Sequence, residues 1–443
     1  MQFSDFNLNN PLINALNDLG FTEATTIQEK AFPVIMSGRD IVGIAQTGTG
    51  KTIAYLLPCL RLWKYTVEKH PQILIVVPTR ELVVQVTEEI KKLTTYMNIR
   101  VAGVYGGENM IRQAPLILDG LDILVATPGR LLDFALNGTL KLRLVKRFVI
   151  DEVDEMLNLG FRPQLIRIMD LLPRKRQNLM FSATMTTEIK DFLADFFIDP
   201  QEIEAARTGT PLANIKQIGI KVPNYNTKIN LLEFLLKTEP GFSKVLLFVS
   251  TKKLADDVYS RISTLFPETI GVIHSNKTQN NRFETLNSFN KNALRVLIAT
   301  DIVARGLDFD DITHVVNFDV PEEPENYMHR IGRTGRVDKK GVAVTFITKD
   351  DTTKRENIQL LMGQKIPMMR MPEEVKISTE LTESELPQII TGNSVAFVSR
   401  KEDHGPAFHE KKDKNKKVNM KIRRKEALKL KYGKPKTRGQ KKK

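Results

Sequence analysis

The chain has 443 residues, with 66 Lys and Arg against 52 Asp and Glu and a formal net charge of +14. That length exceeds a single core and predicts two domains of roughly 200 residues each plus a tail. One cysteine, Cys59, excludes an internal disulfide framework; no apolar run is long enough to span a membrane, and Met1-Gln-Phe-Ser-Asp5 lacks a basic secretory start, so a soluble, cytoplasmic protein is expected. The charge is unevenly placed. Residues 401–443 hold 18 Lys and Arg against 5 Asp and Glu, a net +13, which leaves +1 for residues 1–400. Such an appendage predicts a polyanionic partner.

Residues 1–40 read as helical, with Pro11–Leu16 opening one amphipathic stretch, Ile27–Phe32 forming another, and Gly20-Phe21 and Pro33 as punctuation. The apolar run Ile41–Ala45 then leads into Ala45-Gln-Thr-Gly-Thr-Gly-Lys-Thr52 and the helix-like Ile53–Leu57. Strand, glycine turn and helix is the context a phosphate-binding loop requires. Gly48 and Gly50 let successive N–H groups turn toward phosphate oxygens at a helix N-terminus. Lys51 is placed to reach the β- and γ-phosphates and Thr52 to ligate Mg²⁺. The usual pattern opens on Gly, and Ala45 stands there instead.

Strand-length apolar runs alternate with helix-like stretches from there on: Ile73–Val77, Val101–Tyr105, Ile123–Ala126, Phe148–Ile150 and Leu179–Phe181. The alternation predicts an α/β fold with a parallel sheet covered by helices. Polar or glycine-containing stretches follow these runs: Pro78–Leu82, Gly106-Gly107, Thr127–Arg130, Asp151–Asp154 and Ser182–Thr184. They fall at the carboxyl edge of the sheet, where open α/β proteins bind ligands. Asp151-Glu152 suits a Mg²⁺ site, Asp151 holding the metal directly or through water and Glu152 orienting and deprotonating the attacking water.

Between Asp199 and Asn214 the pattern loosens into a linker. A second series follows, at Ile218–Val222, Val245–Val249, Thr269–Ile273, Val296–Ala299, Val315–Phe318 and Val342–Ile347, without a phosphate loop. A parallel-sheet domain of that kind is suited to completing the first domain's site. It carries Thr300–Asp308 and His329–Arg336, in which Arg330, Arg333 and Arg336 are predicted to share one side of a helical turn and bind phosphate through their planar forks. Asp351–Met362 reads as a helix and Met368–Met371 as core filler, while residues 372–400 carry no signal. The tail from Lys401 reads as disordered in isolation, with Met420–Leu430 able to become helical on binding.

In combination these stretches resemble the DEAD-box ATP-dependent RNA helicases of superfamily 2, of the bacterial type with a basic C-terminal tail, over about residues 3–350. Gly20–Gln28 resembles the Q motif, Ala45–Thr52 motif I, Pro78–Leu82 motif Ia, Thr127–Asp133 motif Ib, Asp151–Asp154 motif II and Ser182–Thr184 motif III. In the second half Leu247–Thr251 resembles motif IV, Gln279–Arg282 the Q-x-x-R stretch, Thr300–Asp308 motif V and His329–Arg336 motif VI. Val153 replaces the name-giving Ala of motif II, and Ala24 and Thr26 stand where the Q motif usually has Pro.

The resemblance implies two tandem RecA-like domains that close around ATP, Mg²⁺ and RNA. Residues 1–205 would form the ATP-binding domain, 206–214 a linker, 215–365 the second domain, 366–400 an extension and 401–443 a disordered RNA-binding tail. Gln28 would read adenine, with Phe21 or Phe3 packed near the ring, and Gln46, Thr47, Gly48, Thr49, Gly50, Lys51 and Thr52 would cradle the phosphates. Asp308 would lie near the ribose or γ-phosphate. Lys51, Asp151, Glu152, Arg333, Arg336 and His329 would be catalytic, the two arginines as fingers and His329 as a link to motif II; Thr52 and Asp151 would hold the metal. RNA would cross Thr79, Arg80, Gly107, Thr127, Arg130, Thr251, Thr300 and Arg305 through sugar and phosphate rather than base edges. The implied activity is RNA-stimulated ATP hydrolysis coupled to local unwinding of short duplexes or remodelling of RNA–protein complexes, by a monomer with partners in ribosome assembly or RNA decay. An ATP-regulated RNA clamp or annealing factor would use the same sites, and motif II together with the Q motif argues against a DNA-translocating motor.

The tail generates a prediction of its own. Each single-strand phosphate it neutralises contributes a slope of about −0.7 in log K against log salt. With about five residues engaged, that is roughly −3.5, or about a hundredfold in affinity between about 50 and 200 mM salt. A chain ending at Arg400 is expected to bind RNA more weakly at low salt, with a flatter salt dependence and an unchanged maximal ATPase rate. Equal salt slopes for the two chains would reduce the tail to a solubility segment.

Overall fold

The computed structural model of the chain describes residues 1–46, 48–205, 214–304, 309, 311–335, 339–382 and 385. Thr47, the linker residues 206–213, Arg305, Asp308, Arg336 and the tail lie outside the described residues.

Two seven-stranded sheets are present among the described residues. The first contains β1 (Ile41–Ile44), β2 (Ile73–Val76), β3 (Val101–Val104), β4 (Ile123–Ala126), β5 (Arg147–Ile150), β6 (Gln177–Ser182) and β7 (Gln201–Glu204). The second contains β8 (Ile215–Lys221), β9 (Val245–Val249), β10 (Ile270–Ile273), β11 (Val296–Thr300), β12 (His314–Asn317), β13 (Gly341–Ile347) and β14 (Met368–Met369). The orders are β3-β4-β2-β5-β6-β1-β7 and β10-β11-β9-β12-β13-β8-β14, so the second sheet repeats the first strand for strand. Every pairing in both sheets is parallel. Helices cover both faces, which is why Ile-Leu-Ile-Val and Val-Leu-Leu-Phe-Val run without polar alternation and are buried throughout. The expected α/β fold with two tandem RecA-like domains is the one observed.

Three expectations need correction. Pro33 lies inside the helix Thr26–Met36 instead of ending it; the ring removes one donor but fits on a helix whose packing face is otherwise intact. β7 reads Gln-Glu-Ile-Glu and buries only Ile203, so this edge strand lacks the apolar run that marks its neighbours. Met368 and Met369 are exposed and form the two-residue edge strand β14, so of the methionines read as core filler only Met371 packs against the core.

The stretch after β14 straps itself onto the second domain. Val375 is buried in the same apolar core as Ile229 and Leu232. Asn224, Asn226 and Asn230 donate side-chain amides to the carbonyls of Ser378 (2.6 Å), Glu380 (2.9 Å) and Lys376 (2.7 Å). At its far end Glu385 Oε1 accepts the N–H of Tyr225, the first residue of the helix Tyr225–Thr238, at 2.6 Å. Residues with no sequence-level periodicity are thus ordered by partners about 150 positions earlier.

Burying a valine contributes about 1.5–3 kcal/mol. A chain ending at Arg370 is therefore expected to lose about 1.5–3 kcal/mol of second-domain stability, read as a lower melting temperature, whereas one ending at Glu385 should melt like the full chain. Equal melting of all three would mean that the strap adds nothing.

Candidate active site

The carboxyl ends of β5, β6 and β1 are adjacent in the first sheet, and the loops that follow them carry Asp151, Ser182–Thr184 and the phosphate loop. Gly48 and Gly50 have φ of 80° and 82°, the left-handed region, so both positions require glycine. Gly50 has a second reason, because a Cβ there would stand 2.3 Å from Gln28 Nε2. Gln28, buried on the helix Thr26–Met36, accepts the Thr25 N–H at 2.9 Å and donates to Gly50 O at 3.1 Å. It therefore braces the loop from behind. Within the loop, Thr49 donates its hydroxyl to Gln46 O at 2.7 Å.

Lys51 and Thr52 open the helix Lys51–Arg61. The Lys51 ammonium is buried, and it has no hydrogen-bond partner among the described residues. Of the two rings considered beside the nucleotide, Phe3 is buried and packs tilted against Phe6 in the core (centroids 5.7 Å apart), while Phe21 is 39% exposed.

Asp151 is 5% exposed and held at both oxygens: Tyr55 donates its hydroxyl to Oδ2 at 3.0 Å, and the Glu152 N–H reaches Oδ1 at 2.9 Å. Glu152 adopts φ 55°, ψ 50°, a left-handed conformation unusual for a side-chain-bearing residue. Burial pushes both carboxyls up, against the pull of Lys51; Glu152 rises to about 7, with Arg333 also pulling it down and Asp151 and Glu155 pushing it further up. Its Oε2 has no hydrogen-bond partner among the described residues. A carboxyl poised near neutrality is suited to accepting a proton. Asp154 instead faces inward, where its Oδ2 accepts the Ala183 N–H, the Thr184 N–H and the Thr184 hydroxyl, each at 3.1 Å, and so joins motif II to motif III. Val153 is fully buried and leaves every motif II carboxylate in place.

The second domain meets this edge directly. Gln46, Ala183 and Thr184 line a cleft with Met328, His329, Gly332 and Leu361. His329 Nδ1 lies 2.9 Å from Glu155 Oε1, and Nε2 is 3.7 Å from Asp154 Oδ2. Burial opposes a charge on the ring, but Glu155 and then Asp154 outweigh it, so the His329 pKa is raised. The link to motif II is thus made chiefly through the residue after the motif. Arg333 is buried, with Nε bonded to His329 O at 3.1 Å.

Of the three arginines, Arg330 and Arg333 are among the described residues, and they do not share one side of a turn. The helix Pro324–Ile331 stops at Gly332, which breaks the spacing, and Arg330 turns into its own domain to grip Asp301 at 2.6 and 2.7 Å.

The RNA-contact candidates occupy the other end of the first sheet: Thr79 follows β2, Gly107 follows β3 and Thr127 follows β4. Thr251 and Thr300 lie at the ends of the paired strands β9 and β11. Thr79 and Thr251 cap helices by accepting the N–H of Leu82 and Leu254, and Thr127 accepts that of Gly106. An accepting hydroxyl keeps its proton to donate elsewhere. Arg80 donates to Gln279 of the second domain at 3.1 Å. Arg130 is 7% exposed, bonded to Gln113 Oε1 and Glu108 O at 2.6 Å each.

Sequence reasoning missed Tyr55, whose only signal was a hydroxyl on an otherwise apolar helix. It also gave no role to Glu81, which accepts from Gln279 Nε2 (2.9 Å) and Arg282 Nη2 (2.5 Å) across the domain boundary.

Comparison with known proteins agrees with this geometry. Residues 25–192 match the DEAD/DEAH box helicase family and residues 227–338 the helicase conserved C-terminal domain. The chain is 38% identical to the DEAD-box ATP-dependent RNA helicase CshA of Bacillus subtilis, over 89% of this chain and 80% of that one. It is 35% identical to CshA of Geobacillus kaustophilus, over 90% and 85%. Among solved structures, S. cerevisiae Dbp5 bound to RNA and ADP BeF3 superposes with a TM-score of 0.77 at 28% identity, over 84% of this chain and 95% of that one. Mss116p bound to ssRNA and AMP-PNP gives 0.75 at 26%, over 84% and 78%. With a nucleotide-binding edge in one parallel-sheet domain, a second domain packed over it and relatives that match most of its length, the chain belongs to the DEAD-box family of ATP-dependent RNA helicases.

Proposed function

We propose that the chain is an RNA-stimulated ATPase that opens short RNA duplexes locally or remodels RNA–protein complexes without reading sequence. The observation that carries this reading is the pair of buried, unpartnered atoms Lys51 Nζ and Glu152 Oε2 among the described residues, in a site where the second domain's Arg333 acts on Glu152. A buried ammonium is costly unless anions meet it; Asp151 and Glu152 offset part of that cost through space, and the triphosphate would supply the direct contact that neither makes. Gln28 keeps one amide hydrogen and one carbonyl lone pair beyond its two protein bonds, enough to read adenine with Phe21 against the ring. Gln46, Thr47, Gly48, Thr49 and Gly50 would cradle the phosphates, and Asp308 would serve the ribose or γ-phosphate.

One carboxylate and one hydroxyl, Asp151 and Thr52, are the sparse protein donors that Mg²⁺ takes when phosphates and water complete its shell. The ion would neutralise charge on the β- and γ-phosphate oxygens. Glu152 orients the attacking water and accepts its proton. Arg333 and Arg336 counter charge on the γ-phosphate from the second domain, which makes hydrolysis depend on both domains. RNA lying on Thr79, Gly107 and Thr127 of one domain and Thr251, Thr300 and Arg305 of the other favours that arrangement. Arg80 and Arg130, which also bond within the protein, complete the RNA-contact set through their remaining guanidinium donors. The reading extends to a cytoplasmic monomer that works with ribosome-assembly or RNA-decay proteins.

Strand displacement tests the reading: ATP-dependent opening of short RNA duplexes that fades with duplex length is expected. Annealing without displacement would favour the clamp, and long-range DNA unwinding would overturn the assignment. Glu152→Gln should keep ADP and RNA binding while slowing hydrolysis by about 10²–10⁴-fold. Since Glu152 must be ionised to act, kcat/KM of the unaltered chain should fall as the pH drops below about 7. Glu152→Gln should lack that limb, and near-normal turnover in this variant would show that the base lies elsewhere.

A further inference from the structure

We infer that Tyr55 is a positioning residue for the metal site: its phenol fixes the Asp151 carboxylate and ties it to the helix that carries Lys51 and Thr52. The inference rests on the reading of Thr52 and Asp151 as the donors to Mg²⁺. Tyr55 lies three residues after Thr52 and four after Lys51, which places all three on one face of the helix Lys51–Arg61. The side chain is fully buried, and its ring packs against Phe181 with centroids 5.3 Å apart and planes at 50°. Phe181 belongs to β6, the strand between β1 and β5. The tyrosine therefore leans over β6 from the helix that follows β1 and reaches the tip of β5.

The contact it makes there is specific. A carboxylate hydrogen-bonded at one oxygen can still turn about its Cβ–Cγ bond, whereas donors on both oxygens fix its plane. Asp151 has one donor on each: the Tyr55 hydroxyl on Oδ2 and the Glu152 N–H on Oδ1. Each oxygen keeps a second lone pair for a metal or its water. The two clamps come from different sources, because the Glu152 N–H is aimed by that residue's left-handed backbone and the hydroxyl by an aromatic ring locked in the core.

Glu89, on the helix Arg80–Leu93, adds to the need for the hydroxyl. Its carboxyl, raised by burial to about 7 with Asp151 pushing it the same way, also acts on Tyr55, and its Oε2 has no hydrogen-bond partner among the described residues. Without the phenol, Asp151 would meet that acidic neighbour with one clamp instead of two. Phenylalanine would satisfy the packing equally well, so the hydroxyl serves the two proposed metal donors rather than the core, bonding Asp151 and also Thr52.

Tyr55→Phe keeps the ring and removes the one donor. The measurement is ADP affinity of the full chain by titration calorimetry, in EDTA and across a series of Mg²⁺ concentrations, with thermal melting in parallel. Melting and the EDTA affinity should stay within about twofold of the unaltered chain. The Mg²⁺ concentration that half-restores tight ADP binding should rise about tenfold, the lower end of what loss of a supporting hydrogen bond does to metal affinity. An unchanged Mg²⁺ curve would overturn the inference. So would an equal loss of affinity in EDTA, which would make Tyr55 merely structural. If the unaltered chain showed no Mg²⁺ effect on ADP, the assignment of Thr52 and Asp151 would itself fall and take the inference with it.

Discussion

Lys51 carries a full charge in a place closed to water, and no hydrogen bond from the described residues relieves it. Burial of that kind is tolerated only where opposite charge stands nearby. Asp151 and Glu152 supply it, and they are themselves kept from protonating further by the same lysine. The three groups are thus mutually dependent: each would be poorly placed without the others, and each comes from a strand end that the parallel sheet brings to one edge. The strand order is the deeper constraint, because it sets β5, β6 and β1 side by side although more than a hundred residues separate the first from the last.

That order also divides labour along the sheet. The ends of β5, β6 and β1 hold the charged groups, while the ends of β3, β4 and β2 present threonine hydroxyls and a glycine turn. A ligand with concentrated charge and a ligand with an extended, evenly spaced backbone meet different chemistry on one continuous edge. The second domain touches both regions, through His329 at the first and through Gln279 and Arg282 at the second. A shift of that domain is therefore felt at both.

Much of this was legible in the chain itself. The phosphate loop, the acidic pair and the two series of apolar runs are local patterns, and a local pattern survives without a partner. What could not be read depends on residues far apart in sequence. Tyr55 and Asp151 are 96 positions apart, and nothing in an apolar helix says that one aromatic hydroxyl will find a carboxylate. His329 was expected to reach motif II and does so mainly at Glu155, a choice settled by interdomain packing. Arg330 matched a phosphate-binding pattern yet serves Asp301, because the helix ends one residue later. β7 escaped notice because an edge strand needs only one buried side chain.

The repetition of strand order gives the strap a meaning beyond packing. The helix after β1 begins at Lys51, and its counterpart after β8 begins at Tyr225. Both N-termini carry the partial positive charge that draws an anion. At the first, the helix opens on a glycine turn with Gly48 and Gly50 in the left-handed region. At the second, Asn224 caps Thr227 and the carboxylate of Glu385 takes the Tyr225 N–H. The second domain thus holds a built-in surrogate for the anion at the equivalent end of its own frame. Two copies of one scaffold have become chemically unlike: one opens its helix on a glycine turn, and the other has its helix end satisfied by its own chain.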